Sequence, residues 1–123
     1  MPAMHRRRFQ QLVAEALDSL PARFRRKLEN IVVLIEDAPR PRTPPHRHRP
    51  PTGRLILGVF QGVPRTRKSV FDPLAAPDRI TLYQKNIEAI CTTDDEIRYQ
   101  VRLTVLHELG HYFGLSEDEL RHL

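Results

Sequence analysis

Two histidines and a glutamate near the end of the chain form the pattern with the clearest chemistry. The segment His107-Glu108-Leu109-Gly110-His111 separates the histidines by four positions, so on a helix both imidazoles lie on one face and can bind a single ion. Zn²⁺ is the ion that this ligand type and spacing favour. Glu108 is placed to act as the general base that takes a proton from water at the open metal position. The pattern predicts a metal-dependent peptidase with Glu108 as its catalytic residue.

A third metal ligand must lie close by or come from upstream, because only 12 residues follow His111. The spacing His-Glu-x-x-His-x-x-Gly-x-x-Glu places Gly114 where the chain can turn back and Glu117 where it can return to the metal. Glu117 is therefore the predicted third ligand, and the neighbouring Asp118 is its substitute. These acids have another explanation, since residues 116–119 form a capping box that would open a short terminal helix without any metal. Alternatively, the remaining coordination positions of the metal hold only water or substrate.

Two other motifs have plainer explanations than a functional site. His46 and His48 form a His-x-His pair inside the Pro- and Arg-rich segment 39–53, and their like-charged neighbours favour a solvated basic loop over half a metal site. Cys91 is the one cysteine of the chain, which excludes an internal disulfide and is compatible with a reducing compartment. It is predicted to be a small core residue and not a nucleophile.

The element that must position the histidines is a helix with signals at both ends. Thr93 is a predicted N-cap, Glu96 follows three residues later, and two more acids lie in the first turn. Apolar residues recur on one face as far as Phe113, and Gly114 follows where a left-handed C-cap is expected. The sequence predicts about five helical turns between these signals.

Further elements flank this helix on its N-terminal side. Apolar residues at helical spacing predict an amphipathic helix over 4–18, which Pro21 interrupts before a short second helical piece. The β-branched run 31–35 predicts a buried strand, and residues 55–60 predict a second one. Residues 79–83 alternate polar and apolar side chains, which is typical of a half-exposed or edge strand. Between the first two strands, 39–53 is predicted to be a flexible internal loop.

Composition limits the class of protein. The 123 residues, 40% of them apolar, predict one domain spanning 1–123, with a core built mainly from Leu, Ile and Val. No stretch approaches the roughly 18 apolar residues that span a bilayer, and the start of the chain is amphipathic, so a soluble cytoplasmic protein without a membrane partner is expected. The net charge is +5 with a pI of about 10.0, but no nucleic-acid-binding module is recognisable, so nucleic acid is not an expected partner.

The sequence resembles a small bacterial family of zincin-like metallopeptidases. The resemblance rests on His-Glu-Leu-Gly-His-Tyr-Phe-Gly-Leu-Ser-Glu, on Arg-Ile-Thr-Leu-Tyr upstream, and on Leu-Gly-Val-Phe-Gln-Gly-Val-Pro before that, and it covers roughly residues 9–123. It implies an α+β fold, a minimal zincin with a small mixed sheet packed on two main helices, and a bound Zn²⁺. The family usually has Asp where this chain has Glu117. The resemblance supports zinc binding more strongly than turnover.

The resemblance also implies how substrate would bind. In zincins an edge strand above the metal pairs with an extended substrate through main-chain groups, so the predicted substrate-binding residues are Arg79, Ile80, Thr81, Leu82 and Tyr83. The expected substrate is a peptide or an unfolded protein segment. A tyrosine could donate a hydrogen bond in the transition state, but nothing in the sequence selects among Tyr83, Tyr99 and Tyr112, and each is predicted to be a packing residue.

Three functional hypotheses follow from these observations. The first is a zinc peptidase that acts on extended peptides. The second is a non-catalytic module whose basic surface binds a partner or nucleic acid. The third is a regulatory metallopeptidase that cleaves one cognate protein and is silent on generic peptides.

Overall fold

A computed structural model of the protein describes residues 4–40, 55–62 and 78–114. The helices and strands in these ranges are α1 (Arg6–Asp18), α2 (Ala22–Leu28), β1 (Ile31–Glu36), β2 (Gly58–Gln61), β3 (Asp78–Tyr83), α3 (Gln84–Ala89) and α4 (Asp94–Tyr112). The predicted α+β class is confirmed, with a small mixed sheet and two longer helices. The predicted loop 39–53, with His46 and His48, lies almost wholly outside the described residues.

The sheet has the strand order β1-β3-β2. β3 runs parallel to β1, with Ile31 opposite Asp78, and antiparallel to β2, with Gly58 opposite Leu82. The central strand is thus the one that comes last in the chain. The expectation that residues 79–83 form an edge strand is wrong, because both sides of β3 are already paired.

The burial of the side chains of β3 also contradicts the prediction of an edge strand. Along β3, the side chains of Ile80, Thr81, Leu82 and Tyr83 are all buried. Arg79 alone of the five is exposed, and its Nε donates a hydrogen bond to Gln61 Oε1 at 2.7 Å. The alternation in the sequence was misleading because Thr81 is a small β-branched residue that suits a covered face as well as an open one.

The core is formed chiefly by α1 and α4. α1 packs against α4, and α4 also contacts β2 and β3. The predicted apolar face of α1 is confirmed, and its buried members are Phe9, Leu12, Val13 and Ala16. α4 buries Ile97, Val101, Val105, Leu106 and Leu109. Full burial of each larger side chain contributes about 1.5–3 kcal/mol, so the two helices supply much of the apolar stabilisation. Cys91 is buried beside this cluster, as predicted.

Both ends of α4 follow the sequence signals. At the start, the Thr93 hydroxyl accepts a hydrogen bond from the Glu96 N–H at 3.1 Å. The Glu96 carboxylate accepts bonds from the hydroxyl and the main-chain N–H of Thr92, and these bonds lower the pKa of Glu96. At the far end, Gly114 has φ 74°, the left-handed conformation that stops a helix. The rigid helix therefore carries the His-Glu-x-x-His segment within its last two turns.

One helix was not predicted. α3 follows β3 directly and has six residues, too few for a helical repeat to stand out. Its first residue, Gln84, donates a hydrogen bond through Nε2 to the Met4 carbonyl, which ties the start of the described chain to this turn. Among the helices described, none has both the length and the apolar character needed to cross a membrane.

Candidate metal centre

The two histidines of the motif lie on the exposed side of α4. His107 and His111 are both exposed, while Val105, Leu106 and Leu109 bury the other side of the same turns. The two imidazole rings meet edge to face, with centroids 4.7 Å apart and an interplanar angle of 69°. Side chains four apart on a helix are expected to come this close, and the pair is accessible to an ion from solvent.

Glu108 is half-buried beside the histidines and touches the sheet. Its Oε2 accepts a hydrogen bond from the main-chain N–H of Phe60 at 3.3 Å. The antiparallel register explains why this N–H is available. The Tyr83 N–H donates to the Leu57 carbonyl at 2.9 Å, so alternate residues of β2 turn their main-chain groups towards β3 and the others turn theirs away. The main-chain groups of Gly58 and Phe60 point away from β3.

The approach of β2 to α4 depends on Gly58. A Cβ at this position would lie 2.8 Å from Thr104 Cγ2 and 3.0 Å from the Thr81 carbonyl oxygen. Ordinary carbon contacts are about 3.5–4.0 Å, so only glycine allows the strand to lie this near the helix. The missing side chain thus brings the main chain of β2 within reach of Glu108.

Aromatic contacts fix the last turn of α4 against the sheet. The rings of Phe60 and Tyr112 lie 4.2 Å apart between centroids, tilted by 34°. The Tyr112 hydroxyl donates to Oδ2 of the buried Asp78 at 3.2 Å. On the other side, Lys27 Nζ lies 4.0 Å from the centroid of the Phe113 ring, a cation–π contact between α2 and the end of α4.

Of the three tyrosines considered from the sequence, the structure places one beside the motif. Tyr112 stacks and hydrogen-bonds as described, whereas Tyr83 is buried in the sheet and Tyr99 is 58% exposed near the start of α4. All three positions agree with packing or surface roles. Tyr112 is the one whose contacts hold the helix that carries His111.

A groove runs along α4 from His107 and Glu108 towards Gln100. Its volume is about 370 Å³, and it is lined by Ile56, Leu57, Gly58, Gln100, Leu103, Thr104, His107 and Glu108. The sequence pattern did not reveal this groove, because it favoured residues 79–83 as the edge strand. The available signal was the glycine within the run 55–60, since glycine in a strand often marks a close approach of the backbone.

The donor set fits a zinc site in part. Imidazole nitrogens are among the ligands that bind zinc in proteins, and here two of them lie on one helix face. Within the ranges that the structure describes, no group of three or more His, Cys, Asp or Glu side chains could hold a metal ion. The predicted third ligand Glu117 and its substitute Asp118 lie outside those ranges, so their positions stay predictions.

Comparison with known proteins is consistent with this geometry. Residues 28–123 match the family described as Zincin-like metallopeptidase. A solved structure of a conserved hypothetical protein from Thermus thermophilus is similar, with a TM-score of 0.55 and 22% sequence identity over 89% of this chain and 94% of that one. At this identity the likeness concerns the fold. No curated protein matches the chain.

Proposed function

Since the chain belongs to the zincin-like metallopeptidase family, we propose that it is a zinc-dependent peptidase that cleaves extended peptides. One observation carries the proposal. Glu108 lies beside two exposed histidines on the same helix, with its carboxylate directed at the edge of a strand and at an open groove. A general base, two metal donors and a place for a peptide chain are thus adjacent.

The proposed roles divide between the metal and the protein. His107 and His111 hold the zinc ion, and Glu117 completes the protein ligands. A zinc ion bound there polarises the carbonyl of the peptide bond and acidifies water. Glu108 takes a proton from the attacking water and passes it to the leaving amine. The Phe60 N–H holds the carboxylate of Glu108 towards the groove, which restricts the directions in which it can accept that proton.

The proposed substrate-binding strand is β2. Its outward main-chain groups at Gly58 can pair with an extended peptide, as in strand addition. This role replaces the one first assigned to residues 79–83, because β3 uses both of its edges inside the sheet. The proposed substrate remains a peptide or an unfolded protein segment.

Hydrolysis of a mixed peptide library tests the proposal. Zinc-loaded wild type is expected to cleave, and Glu108→Gln is expected to lose about 10²–10⁴-fold in kcat while keeping its zinc. Glu36→Gln is the matched control, since Glu36 is an exposed glutamate at the end of β1. Equal cleavage by wild type and Glu108→Gln would exclude Glu108 as the base. Cleavage of one cognate protein, with no cleavage of the library, would identify the regulatory form of the same activity.

A further inference from the structure

Helix α2 concentrates positive charge in a short stretch of the surface. Four of its seven residues are cations and none is an acid. The cations, which we call the α2 basic cluster, are Arg23, Arg25, Arg26 and Lys27. Phe24 is the buried residue that attaches the helix to the core, and the three arginines are exposed. The cluster is therefore accessible to a partner from solvent.

The fold uses other arginines for ion pairs but not those of the α2 basic cluster. Arg8 pairs with Asp94 at 2.7 Å and Arg98 with Glu15 at 2.8 Å, and both pairs join α1 to α4. Within the described parts of the chain, no carboxylate pairs with any cation of the cluster. The charges of the cluster thus contribute no ion pair to the described structure.

The electrostatics of the helix itself explain only part of the cluster. Cations in a last helical turn are stabilised by the helix dipole, and Arg25, Arg26 and Lys27 lie there. Arg23 lies at the opposite end, where a positive charge is unfavourable and no acid is present to offset it. It also precedes Arg26 by three positions and Lys27 by four, the spacings at which like charges destabilise a helix. A negatively charged partner would relieve this repulsion.

The α2 basic cluster lies beside the end of α4 that carries the histidines. Lys27 Nζ is 4.0 Å from the centroid of the Phe113 ring, and Phe113 follows His111 by two residues. The acids of α4, Asp94–Glu96, lie in its first turn. They are separated from the cluster by most of a 19-residue helix, about 28 Å at 1.5 Å per residue. A chain bound to the cluster would therefore pass close to the proposed metal site.

The dimensions and chemistry of α2 favour an acidic protein segment as the partner. Seven helical residues span about 10 Å, the length of about three residues of extended chain. Guanidinium groups pair well with carboxylates, often through two hydrogen bonds. A strand of nucleic acid would in addition use exposed aromatic rings for stacking, and the one aromatic residue of α2, Phe24, is buried.

We propose that the α2 basic cluster binds a run of Asp or Glu in a protein substrate and so brings the neighbouring extended residues to the metal centre. This rests on the proposed peptidase function and adds a substrate class to it, proteins with an acidic run beside the cleaved segment. Attachment at a second point raises the effective concentration of the cleavable segment. The cluster is thus expected to lower KM and to leave kcat unchanged.

Binding of a labelled peptide tests the cluster without any hydrolysis. The probes are an alanine-rich peptide with a run of alternating Asp and Glu, and the same peptide with Asn and Gln in their place, both labelled with a neutral dye. Protein stripped of metal with EDTA is titrated at about 50 mM and about 300 mM NaCl. The variant is the double substitution Arg25→Gln/Arg26→Gln. Arg7→Gln/Arg40→Gln is the matched control, since it removes the same charge from two exposed arginines outside α2.

Wild type is expected to bind the acidic peptide in preference to the amide peptide, and more weakly at the higher salt concentration. Because exposed ion pairs are individually weak, the double α2 variant is expected to raise the Kd by about 3- to 10-fold, and the control by less than about 2-fold. Equal Kd values in wild type and the α2 variant, or equal binding of both peptides, would overturn the proposal. Tighter binding of a single-stranded oligonucleotide of equal charge would overturn it in favour of nucleic acid. Circular dichroism checks that each variant is folded.

Hydrolysis by the zinc-loaded protein separates the two proposals. If both hold, the acidic run lowers KM for a cleaved peptide, and the double α2 variant removes this advantage without changing kcat. Cluster-dependent binding without hydrolysis would support the cluster and count against the peptidase. Hydrolysis with the same KM for the acidic and amide peptides would support the peptidase and overturn the role of the cluster.

Discussion

The carboxylate of Glu108 accepts a hydrogen bond from the main-chain N–H of Phe60, a residue 48 positions earlier in the chain. The proposed general base is therefore oriented by the same strand that is proposed to bind substrate. A shift of β2 relative to α4 would move the base and the peptide together. In the proposed peptidase, the distance between β2 and α4 therefore determines where the base lies relative to the substrate.

Shortening Glu108 by one methylene should uncouple the base from the strand. In Glu108→Asp the carboxylate is drawn back towards the helix and loses the Phe60 N–H. Since a displacement of about 1 Å can reduce the rate by about 10²-fold, kcat is expected to fall by that order with KM and zinc content unchanged. Steady-state kinetics on a cleaved peptide measure the effect, with Glu36→Asp as control. Unchanged kcat would show that the hydrogen bond does not position the base.

Replacement of His111 should remove the metal. Wild type is expected to contain one equivalent of zinc by elemental analysis, and His111→Ala to contain little, because two of the proposed protein donors come from this one helix face. His5→Ala is a suitable control, since His5 is also exposed but lies before α1. Full zinc content in His111→Ala would contradict the assignment of this histidine as a ligand.

A separate pair of variants addresses the third ligand. Glu117→Ala is expected to raise the Kd for zinc by at least about 10-fold, since it removes one of three protein donors, while Asp118→Ala leaves the Kd unchanged. Competition with a chromophoric chelator measures both values. The reverse result would identify Asp118 as the ligand. If neither variant changed the Kd, the acids would be explained by helix capping alone.

Gly58 should tolerate no side chain without a loss of stability. Gly58→Ala places a Cβ against Thr104 Cγ2 and the Thr81 carbonyl, and overpacking of this kind costs about 1–3 kcal/mol. Urea unfolding measures the loss. Thr104→Ser removes Cγ2, so the double variant should regain part of the difference. A double variant no more stable than Gly58→Ala would place the conflict at the Thr81 carbonyl or at Leu82 Cδ2.

Cys91 should react slowly in the folded protein. Burial, with a smaller contribution from the charge of Glu96, raises the pKa of the thiol above its ordinary value. The contribution of this thiol to the free energy of unfolding is fully present at pH values below the pKa of the thiol in the unfolded protein. It is lost as the pH rises through the pKa of the thiol in the folded protein. At pH 8.5 iodoacetamide should therefore modify the native protein at least about 10-fold more slowly than the protein in urea. Equal rates would indicate that the thiol is accessible.

Helix α4 was the element best predicted from the sequence. Its limits are set by local chemistry: the Thr93 hydroxyl at one end and the left-handed Gly114 at the other. Local signals of this kind depend only on near neighbours, so they can be recognised without the tertiary structure. The exposure of His107 and His111 follows from the same helical spacing.

The arrangement of the sheet could not be predicted in the same way. Side-chain alternation along 79–83 indicates a strand but contains no information about which strands flank it. The orientation of the Phe60 N–H depends on the register between β2 and β3, and a main-chain donor leaves no trace in a side-chain motif. The groove, likewise, is lined by residues 56–58 and by residues of α4, which only the tertiary structure brings together.

The central position of β3 also has a consequence for how the protein folds. Its partners Ile31–Glu36 and Gly58–Gln61 both precede it in the chain with intervening segments, and no tight hairpin joins it to either one. Both ladders must therefore close loops before any pairing energy is gained, which slows folding relative to a protein with mostly local contacts. The Phe60–Glu108 contact can form only after β3 and α4 have been synthesised. The geometry proposed for catalysis therefore needs non-local contacts of β2 both with β3 and with α4.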